Sequence, residues 1–163
     1  MNFLGRPACI VVAIVSQTSM IPVVLMLGSA AEVLTAYAAQ VVHNAQALGR
    51  ALDDEGIRVE ARDFGYTASH QIAVNVATYG GGVAVAQHLE ANAIIVNYNL
   101  LPRDTEPRNP SGLRIGVQEM TRYGMREDAM QRLAGLLADA IKGKTVTDAV
   151  QALRASYSTL QYV

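Results

Sequence analysis

The sequence predicts an α/β fold in which helices pack against one face of a small sheet, and three observations lead to this prediction. Hydrophobic residues make up 51 % of the 163 residues, which suffices for one buried core. Apolar residues recur three and four positions apart in several segments, as in amphipathic helices. Between those segments, short runs rich in β-branched residues end at glycine, proline or asparagine, as strands do. We predict strands at about residues 57–61, 71–76, 93–97 and 112–117.

Residues 1–22 form an apolar extension ahead of the predicted helix and sheet. Two apolar runs lie within residues 8–27, and the polar residues 16–19 separate them. Neither run approaches the ~20 apolar residues that a membrane-spanning helix needs, so we expect no membrane span. The single cysteine, Cys9, excludes an internal disulfide and offers no metal-ligand spacing, which favours a cytoplasmic protein without a metal site.

A long linking helix is predicted over residues 23–56. Its apolar residues are spaced alternately four and three apart, which forms one apolar seam along the helix, and Gly56 ends it. The seam consists of Leu27, Ala31, Leu34, Ala38, Val41, Ala45, Leu48 and Leu52. His43 and Asn44 lie beside the seam, and we expect both on the surface. Residues 57–163 then form the α/β domain.

Later helices begin at two recognisable signals. Gly80 to Gly82 resembles a phosphate-binding loop, but the lysine and Ser/Thr of a P-loop do not follow it. We therefore interpret it as a flexible entry into a helix over residues 83–90. After an amphipathic helix over residues 126–141, Thr145 and Asp148 predict a capping box for a last helix.

The most informative stretch is GLRIGV, residues 112–117, a predicted strand with one cation at its centre. Because side chains alternate along a strand, Arg114 stands on the face that it shares with Gly112 and Gly116. Glycine inside a strand usually marks close approach by a ligand or another backbone, so we expect vacant space around this guanidinium. The planar guanidinium group there suits a carboxylate or phosphate held by two hydrogen bonds. The alternative interpretation is an exposed arginine on an edge strand. The loop before this strand is expected to present solvated side chains: Asp104, Glu106 and Arg108.

Four segments resemble the C-terminal domain of the serine hydroxymethyltransferase family, most of all its archaeal-type sequences. They are YAAQVVHNAQALGRAL (37–52), SHQIAVNV (69–76), VNYNLLP (96–102) and NPSGLRIGVQEMTRYGM (109–125). The resemblance extends in order and spacing from about residue 20 to residue 140. It implies the small C-terminal domain of the aspartate-aminotransferase-type architecture, which is fold type I of the pyridoxal-phosphate enzymes.

The resemblance also implies roles for several residues. In the family, the arginine of an SG-hydrophobic-R motif holds the α-carboxylate of the amino-acid substrate, and Arg114 matches it. Asn99 matches an asparagine on the substrate and folate side, whereas Tyr98 replaces the family's usual lysine, so tetrahydrofolate dependence is uncertain. Folate-independent threonine aldolases and transaldolases are therefore an alternative. A weaker correspondence concerns a QGG-like segment that helps to hold the cofactor phosphate: Gln17, Thr18 and Ser19. These residues lack the family's glycines, and the alternative is a polar turn between buried segments.

The lysine content decides which assembly we expect. The chain has only Lys142 and Lys144, and neither lies in the STHK-like motif that carries the pyridoxal-phosphate lysine in the family. The resemblance therefore implies a split enzyme, a hetero-oligomer in which a partner chain of the large-domain type holds pyridoxal phosphate covalently. This enzyme would make or break the Cα–Cβ bond of β-hydroxy-α-amino acids such as serine and threonine, with glycine on the other side of the reaction, and our chain alone would be inactive.

Two further considerations concern partners. A net charge of −1 without a basic cluster argues against nucleic acid. An alternative of a different class is a non-catalytic module that regulates or stabilises a full-length relative. The apolar helix seam fits either reading, because it looks like a surface that expects a partner.

Overall fold

The computed structural model describes residues 10–11 and 29–162 of the chain. The rest of the predicted extension, the predicted helix start at residue 23, and the segment Gln17, Thr18, Ser19 lie outside the described residues. The strands are β1 (Ile10–Val11), β2 (Gln71–Asn75), β3 (Ile94–Ile95), β4 (Asn97–Asn99) and β5 (Gly112–Gly116). The helices are α1 (Ser29–Asp54), α2 (Gly82–Ala91), α3 (Gln118–Arg122), α4 (Glu127–Ile141) and α5 (Thr147–Ala155).

The main sheet has three antiparallel strands in the order β2-β5-β4, so β5 is its central strand. The register places Ala73 of β2 and Asn97 of β4 on either side of Arg114 in β5. β1 and β3 form a separate parallel pair. One face of the main sheet is buried through the residues Ile72, Val74, Leu113 and Ile115.

Helices cover that buried face. α1 contacts β2, α2 contacts β4 and β5, and α4 lies against both helices. The apolar residues of these elements form one continuous core. On the other face, Gln71, Ala73 and Arg114 remain only half-buried. The predicted α/β class, with helices on one face of the sheet, is confirmed.

The apolar seam of the long helix α1 is buried from Val41 onward. This part of the seam lies in the core: Val41, Ala45, Leu48 and Leu52. Leu34, in the first half, is 60 % exposed. The helix ends as predicted, because Gly56 takes a left-handed conformation (φ +79°) and the Ile57 N–H donates to the Leu52 carbonyl at 2.9 Å. None of the helices in the described part is long and apolar enough to cross a membrane.

Two of the predicted strands differ from the observed ones. Residues 57–61 contribute only one bridge to the sheet, between Val59 and Val74. Ala61 has a left-handed conformation (φ +57°) that turns the chain away from the sheet edge. The predicted strand over residues 93–97 divides into β3 and β4, because its first part pairs with β1 and its second part with β5.

Asn44 is fully buried, so the prediction of a surface position for it is wrong. Its amide nitrogen donates to Thr121 Oγ1 and to the Met125 carbonyl, each at 2.8 Å. Its Oδ1 accepts from Gln40 Nε2 at 3.0 Å. Burial of these polar groups is tolerated because each has hydrogen-bond partners. The cluster joins α1 to the segment that follows β5, while the neighbouring His43 is exposed as predicted.

The last helix, α5, begins without the predicted capping box, since its N-cap residue Val146 makes no side-chain cap and Thr145 is exposed. Asn92, at the end of α2, supplies the cap instead. Its Oδ1 accepts the Val146 N–H at 2.7 Å. A side chain distant in sequence therefore satisfies the helix start.

Gly82, the first residue of α2, serves close packing rather than flexibility. A Cβ on the buried Gly82 would lie 2.5 Å from the Gly112 carbonyl oxygen and 2.9 Å from that of Pro110. The Gly82 N–H donates to the same Pro110 oxygen at 2.7 Å. The helix therefore meets the sheet at a point where only backbone fits.

Candidate functional site

Arg114 lies at the centre of the main sheet, on the face that the helices leave open. It belongs to the middle strand β5 and is half-buried. The alternative of an exposed arginine on an edge strand is therefore wrong. Its neighbour on β2 is the small Ala73, which leaves room above the sheet on that side.

The Arg114 guanidinium makes no hydrogen bond or ion pair with any other residue in the described part of the chain. The ion pairs found there are Arg58 with Glu60, Arg62 with Asp53, and Lys144 with Asp139. Arg154 is also partly buried, but its guanidinium lies over the Tyr123 ring at 3.9 Å. Arg114 therefore keeps its five N–H donors available to a ligand.

A cavity of about 360 Å³ adjoins Arg114. Residues 66–73, from β2 and the loop before it, supply one side, and residues 99–102 supply the other. The first side carries hydroxyl and amide groups, whereas the second is apolar beyond Asn99. A concave site of this size with a few convergent polar groups suits a small molecule.

The predicted vacant space beside Arg114 is filled on the Gly112 side. A Cβ at Gly112 would lie 2.6 Å from Leu101 Cγ and 2.8 Å from the Asn99 carbonyl oxygen. Glycine at this position thus admits Leu101 against the strand rather than a ligand. The prediction of close approach at a strand glycine is right, but the approaching group belongs to the chain itself.

Asp104 holds the loop that carries Leu101. Its carboxylate accepts hydrogen bonds from the Ser111 hydroxyl, from the Ser111 N–H at 2.8 Å and from the Leu101 N–H at 2.9 Å. These bonds, the one from the Ser111 hydroxyl first, lower the pKa of the Asp104 carboxyl below its usual value. Asp104 is thus partly exposed but hydrogen-bonded to its own loop, whereas Glu106 and Arg108 are exposed as predicted.

Tyr66 adjoins the other side of the cavity in a left-handed conformation (φ +71°) that tyrosine rarely adopts. Its hydroxyl donates to Asp53 Oδ2 at 3.1 Å. Its ring lies against Gly49 of α1, where a Cβ would be 2.9 Å from Tyr66 Cγ. Burial and then the hydrogen bond to Asp53 raise the pKa of Tyr66, so the hydroxyl stays protonated as a donor. These contacts with Asp53 and Gly49 fix the Tyr66 side of the cavity against α1.

The structure brings Asn99 to the same cavity as Arg114, but not Tyr98. The Asn99 amide donates to the neighbouring Leu100 carbonyl at 3.2 Å. Tyr98 pairs with Leu113 in the sheet, and its Cβ lies 3.1 Å from the position that a Cβ on Gly82 would take. Tyr98 therefore starts on the helix-covered face, and its side chain is 55 % exposed.

Neither lysine of the chain lines the cavity. Lys142 Nζ donates to the Glu55 carbonyl at 2.7 Å, and Lys144 Nζ lies 2.8 Å from Asp139 Oδ1. The residues described here thus fit an anionic small molecule and do not fit a cofactor that needs a Schiff-base lysine. The same part of the chain contains no group of three or more His, Cys, Asp or Glu residues that could hold a metal ion.

Gln71 and Tyr66 line the cavity, although no motif in the sequence marks either as a site residue. Strand alternation puts Gln71 opposite in direction to Ile72, which is a usable signal. Alternation of side chains does not reveal which strand lies beside β2. Tyr66 lies in the loop before β2, where no periodic pattern indicates the direction of its side chain. Only the register of β2 against β5 brings Gln71 close to Arg114.

The fold and the site together define an α/β domain in which one uncommitted guanidinium lies beside a cavity of small-molecule size. The family model described as serine hydroxymethyltransferase matches residues 19–137. The chain belongs to the serine hydroxymethyltransferase family, and it corresponds to the C-terminal portion predicted from the sequence.

Individual relatives agree with this assignment. A serine hydroxymethyltransferase of Pyrobaculum islandicum is 46 % identical over 129 residues, which cover 77 % of our chain and 30 % of the relative. One from Saccharolobus islandicus is 52 % identical over 111 residues, covering 66 % and 25 %. A crystal structure of L-threonine transaldolase from Pseudomonas fluorescens matches with a TM-score of 0.66 at 30 % identity, over 78 % of our chain and 30 % of that chain. The chain thus spans about a third or less of the length of these relatives.

Proposed function

We propose that this chain forms the small-domain part of a serine-hydroxymethyltransferase-like enzyme. The enzyme makes or breaks the Cα–Cβ bond of β-hydroxy-α-amino acids, with serine or threonine on one side of the reaction and glycine on the other. The observation that carries the proposal is the half-buried Arg114 guanidinium, which faces a small-molecule cavity without a partner among the described residues.

In this proposal Arg114 binds the α-carboxylate of the amino-acid substrate. Two parallel N–H donors of the guanidinium match the two carboxylate oxygens, which fixes orientation as well as position. Its place in the central strand supports the role, because β2 and β4 hold β5 on both sides and limit movement of the charge. Fixed orientation of the substrate relative to the reacting bond lowers the barrier.

The cofactor is proposed to be pyridoxal phosphate held on a lysine of a partner chain. Both lysines here are engaged outside the cavity, which supports a lysine from elsewhere. Pyridoxal phosphate serves such enzymes as an electron sink, and that chemistry would come with the partner. Val33 and Leu34 of α1 are exposed and offer an apolar surface to such a chain. A phosphate contact from Gln17, Thr18 and Ser19 and a cytoplasmic location remain parts of the proposal.

A folate-independent threonine aldolase or transaldolase is the second candidate. Two observations favour it. Tyr98 stands where the family usually has lysine, and the chain is similar in structure to an L-threonine transaldolase. Asn99, which adjoins the Arg114 cavity, would serve either reaction on the acceptor side.

The test is co-expression with the lysine-bearing large-domain portion of a serine hydroxymethyltransferase such as that of Pyrobaculum islandicum. Cofactor absorbance and turnover of L-serine and L-threonine are measured with and without tetrahydrofolate. We expect absorbance and activity only in the complex. Arg114→Ala should lower kcat/KM by about 10²- to 10³-fold, since two charge-assisted hydrogen bonds are lost, while cofactor absorbance is retained. Arg114→Lys keeps the positive charge but cannot donate two parallel hydrogen bonds to the carboxylate, so it should retain only part of the activity.

The matched control is Arg50→Ala, which removes an exposed arginine of α1 and should leave kcat/KM unchanged. Activity of the unaltered complex that survives Arg114→Ala would refute the carboxylate role. Activity of our chain by itself would refute the split arrangement. A stable complex without cofactor absorbance would favour a non-catalytic module.

A further inference from the structure

We propose that Gln71 is a second binding residue for the substrate carboxylate, donating a hydrogen bond from its side-chain amide beside Arg114. The inference rests on the proposed function, because it concerns the same cavity and the same ligand group. It adds a neutral donor beside the cation Arg114.

The register of the sheet puts the two side chains next to each other. Gln71 pairs with Gly116 and Ala73 pairs with Arg114, so Gln71 and Arg114 are diagonal neighbours on one face of β2 and β5. Diagonal neighbours of this kind are about 7–8 Å apart at the backbone, which is within the combined reach of two long side chains. The intervening positions carry only a methyl group at Ala73 and a hydrogen at Gly116. Both side chains can therefore converge on one ligand.

Most polar side chains that line the cavity already have hydrogen-bond partners. These are Tyr66, Thr67, Ser69 and Asn99. Within the residues that the structure describes, neither Gln71 nor Arg114 makes a side-chain hydrogen bond. The cavity thus holds two uncommitted polar side chains, and both are half-buried.

The chemistry of an amide suits the place beside a carboxylate-binding arginine. A carboxylate at position 71 would pair with Arg114 and neutralise it, whereas a glutamine donates to the ligand and leaves the guanidinium free. On the opposite side, Leu101 fills the space beside Gly112. A carboxylate at Arg114 therefore has an apolar neighbour on one flank and an N–H donor on the other. Partial burial strengthens the charge-assisted bond that Gln71 Nε2 would donate.

The experiment is a glycine titration of this chain followed by ¹⁵N NMR at the Arg114 side-chain Nε–H and the Gln71 side-chain amide. Glycinamide, which lacks the carboxylate, is the ligand control. Gln71→Met keeps the length of the side chain and removes the donor, so we expect a roughly tenfold higher Kd for glycine. Gln71→Glu should weaken glycine binding further, because its charge pairs with Arg114. Gln87→Met, the same change at an exposed position of α2, should leave Kd unchanged.

The outcomes separate this inference from the proposed function. A Kd for Gln71→Met within twofold of the unaltered chain, together with loss of glycine binding in Arg114→Met, overturns the role of Gln71 alone. Unchanged binding in Arg114→Met overturns both. No glycine response at either side chain of the unaltered protein overturns the inference, while the activity of the complex still tests the proposed function. A tenfold higher Kd for glycine in Gln87→Met as well would show an effect that is not specific to Gln71 and would overturn the inference. Loss of amide signal dispersion in Gln71→Met would assign Gln71 to folding and would also overturn the inference.

Discussion

Replacement of Asn44 by leucine tests the buried polar cluster that ties α1 to the segment after β5. Leucine has a similar branched shape but neither donates nor accepts a hydrogen bond. The Met125 carbonyl accepts from Asn44 at 2.8 Å and would lose that donor. The Thr121 hydroxyl would keep its bond to the Val117 carbonyl at 2.7 Å but lose the Asn44 amide. Gln40 would likewise lose its acceptor on Asn44.

The magnitude follows from these separate losses. A buried acceptor left without a partner costs about 1–3 kcal/mol, and each weakened polar group costs about 1 kcal/mol or less. We therefore expect Asn44→Leu to lower the free energy of unfolding by about 3 kcal/mol. Native domains have only about 5–15 kcal/mol in total, so the effect is readily measured.

The assay is urea unfolding of the purified chain, monitored by circular dichroism. His43→Leu is the matched control, because His43 is the exposed neighbour on the same helix, and it should change stability by less than about 0.5 kcal/mol. Thr121→Val completes a double-mutant cycle, in which we expect a coupling of about 1 kcal/mol with Asn44→Leu. A loss below about 1 kcal/mol for Asn44→Leu, with no coupling to Thr121→Val, would refute the reasoning.

Acidification should loosen the loop that Asp104 holds, because hydrogen bonds lower the pKa of its carboxyl. The contribution of these hydrogen bonds to stability is complete above the ordinary aspartate pKa and is lost as the pH falls through the lowered value. The chemical shift of the Ser111 amide, measured against pH, reports this loss. An identical titration curve in Asp104→Asn would contradict the prediction. Gly82→Ala should destabilise the chain by about 1–3 kcal/mol, because its Cβ would lie 2.5 Å from the Gly112 carbonyl oxygen. Gly135→Ala in α4, with nothing within 4 Å, should stabilise by about 0.5–1 kcal/mol, and equal effects of the two substitutions in urea unfolding would count against the packing argument.

Elements with a clear local period were predictable from the sequence. α4 has the apolar spacing of an amphipathic helix, as predicted, and its residues Met130, Leu133 and Leu137 are buried. Gly56 ends α1 because a left-handed residue there closes the last turn, which is again local chemistry. The short helix α3 was not predicted, since five residues are too few to show a period.

Other features depended on partners far along the chain. Asn44 was placed on the surface because asparagine in a helix usually faces water, but its hydrogen-bond partners lie 77 and 81 residues later. Thr145 and Asp148 match a capping pattern, yet Asn92 reaches the start of α5 first. At Asn44 and at the start of α5, a hydrogen bond between residues distant in sequence stabilises an arrangement different from the one that the local sequence favours.

At the candidate site, Arg114 was predictable and its surroundings were not. Alternation of side chains places the arginine on one face of a strand, and the motif around it indicates the ligand group. Neither reveals that Leu101 fills the space beside Gly112 or that Asp104 holds the loop in place. Those contacts depend on how a proline-containing loop folds back, which no periodic pattern encodes.

The sequence by itself determined the α/β class through local periods, and the family and the candidate binding cation Arg114 through its motifs. Only the tertiary structure decided that β5 is the central strand and that Gln71 stands beside Arg114. Strand order and register follow from the free energy of the whole core rather than of any one segment. A shift of one residue in register would turn every side chain of a strand to the other face, so residues distant in sequence together select the cavity.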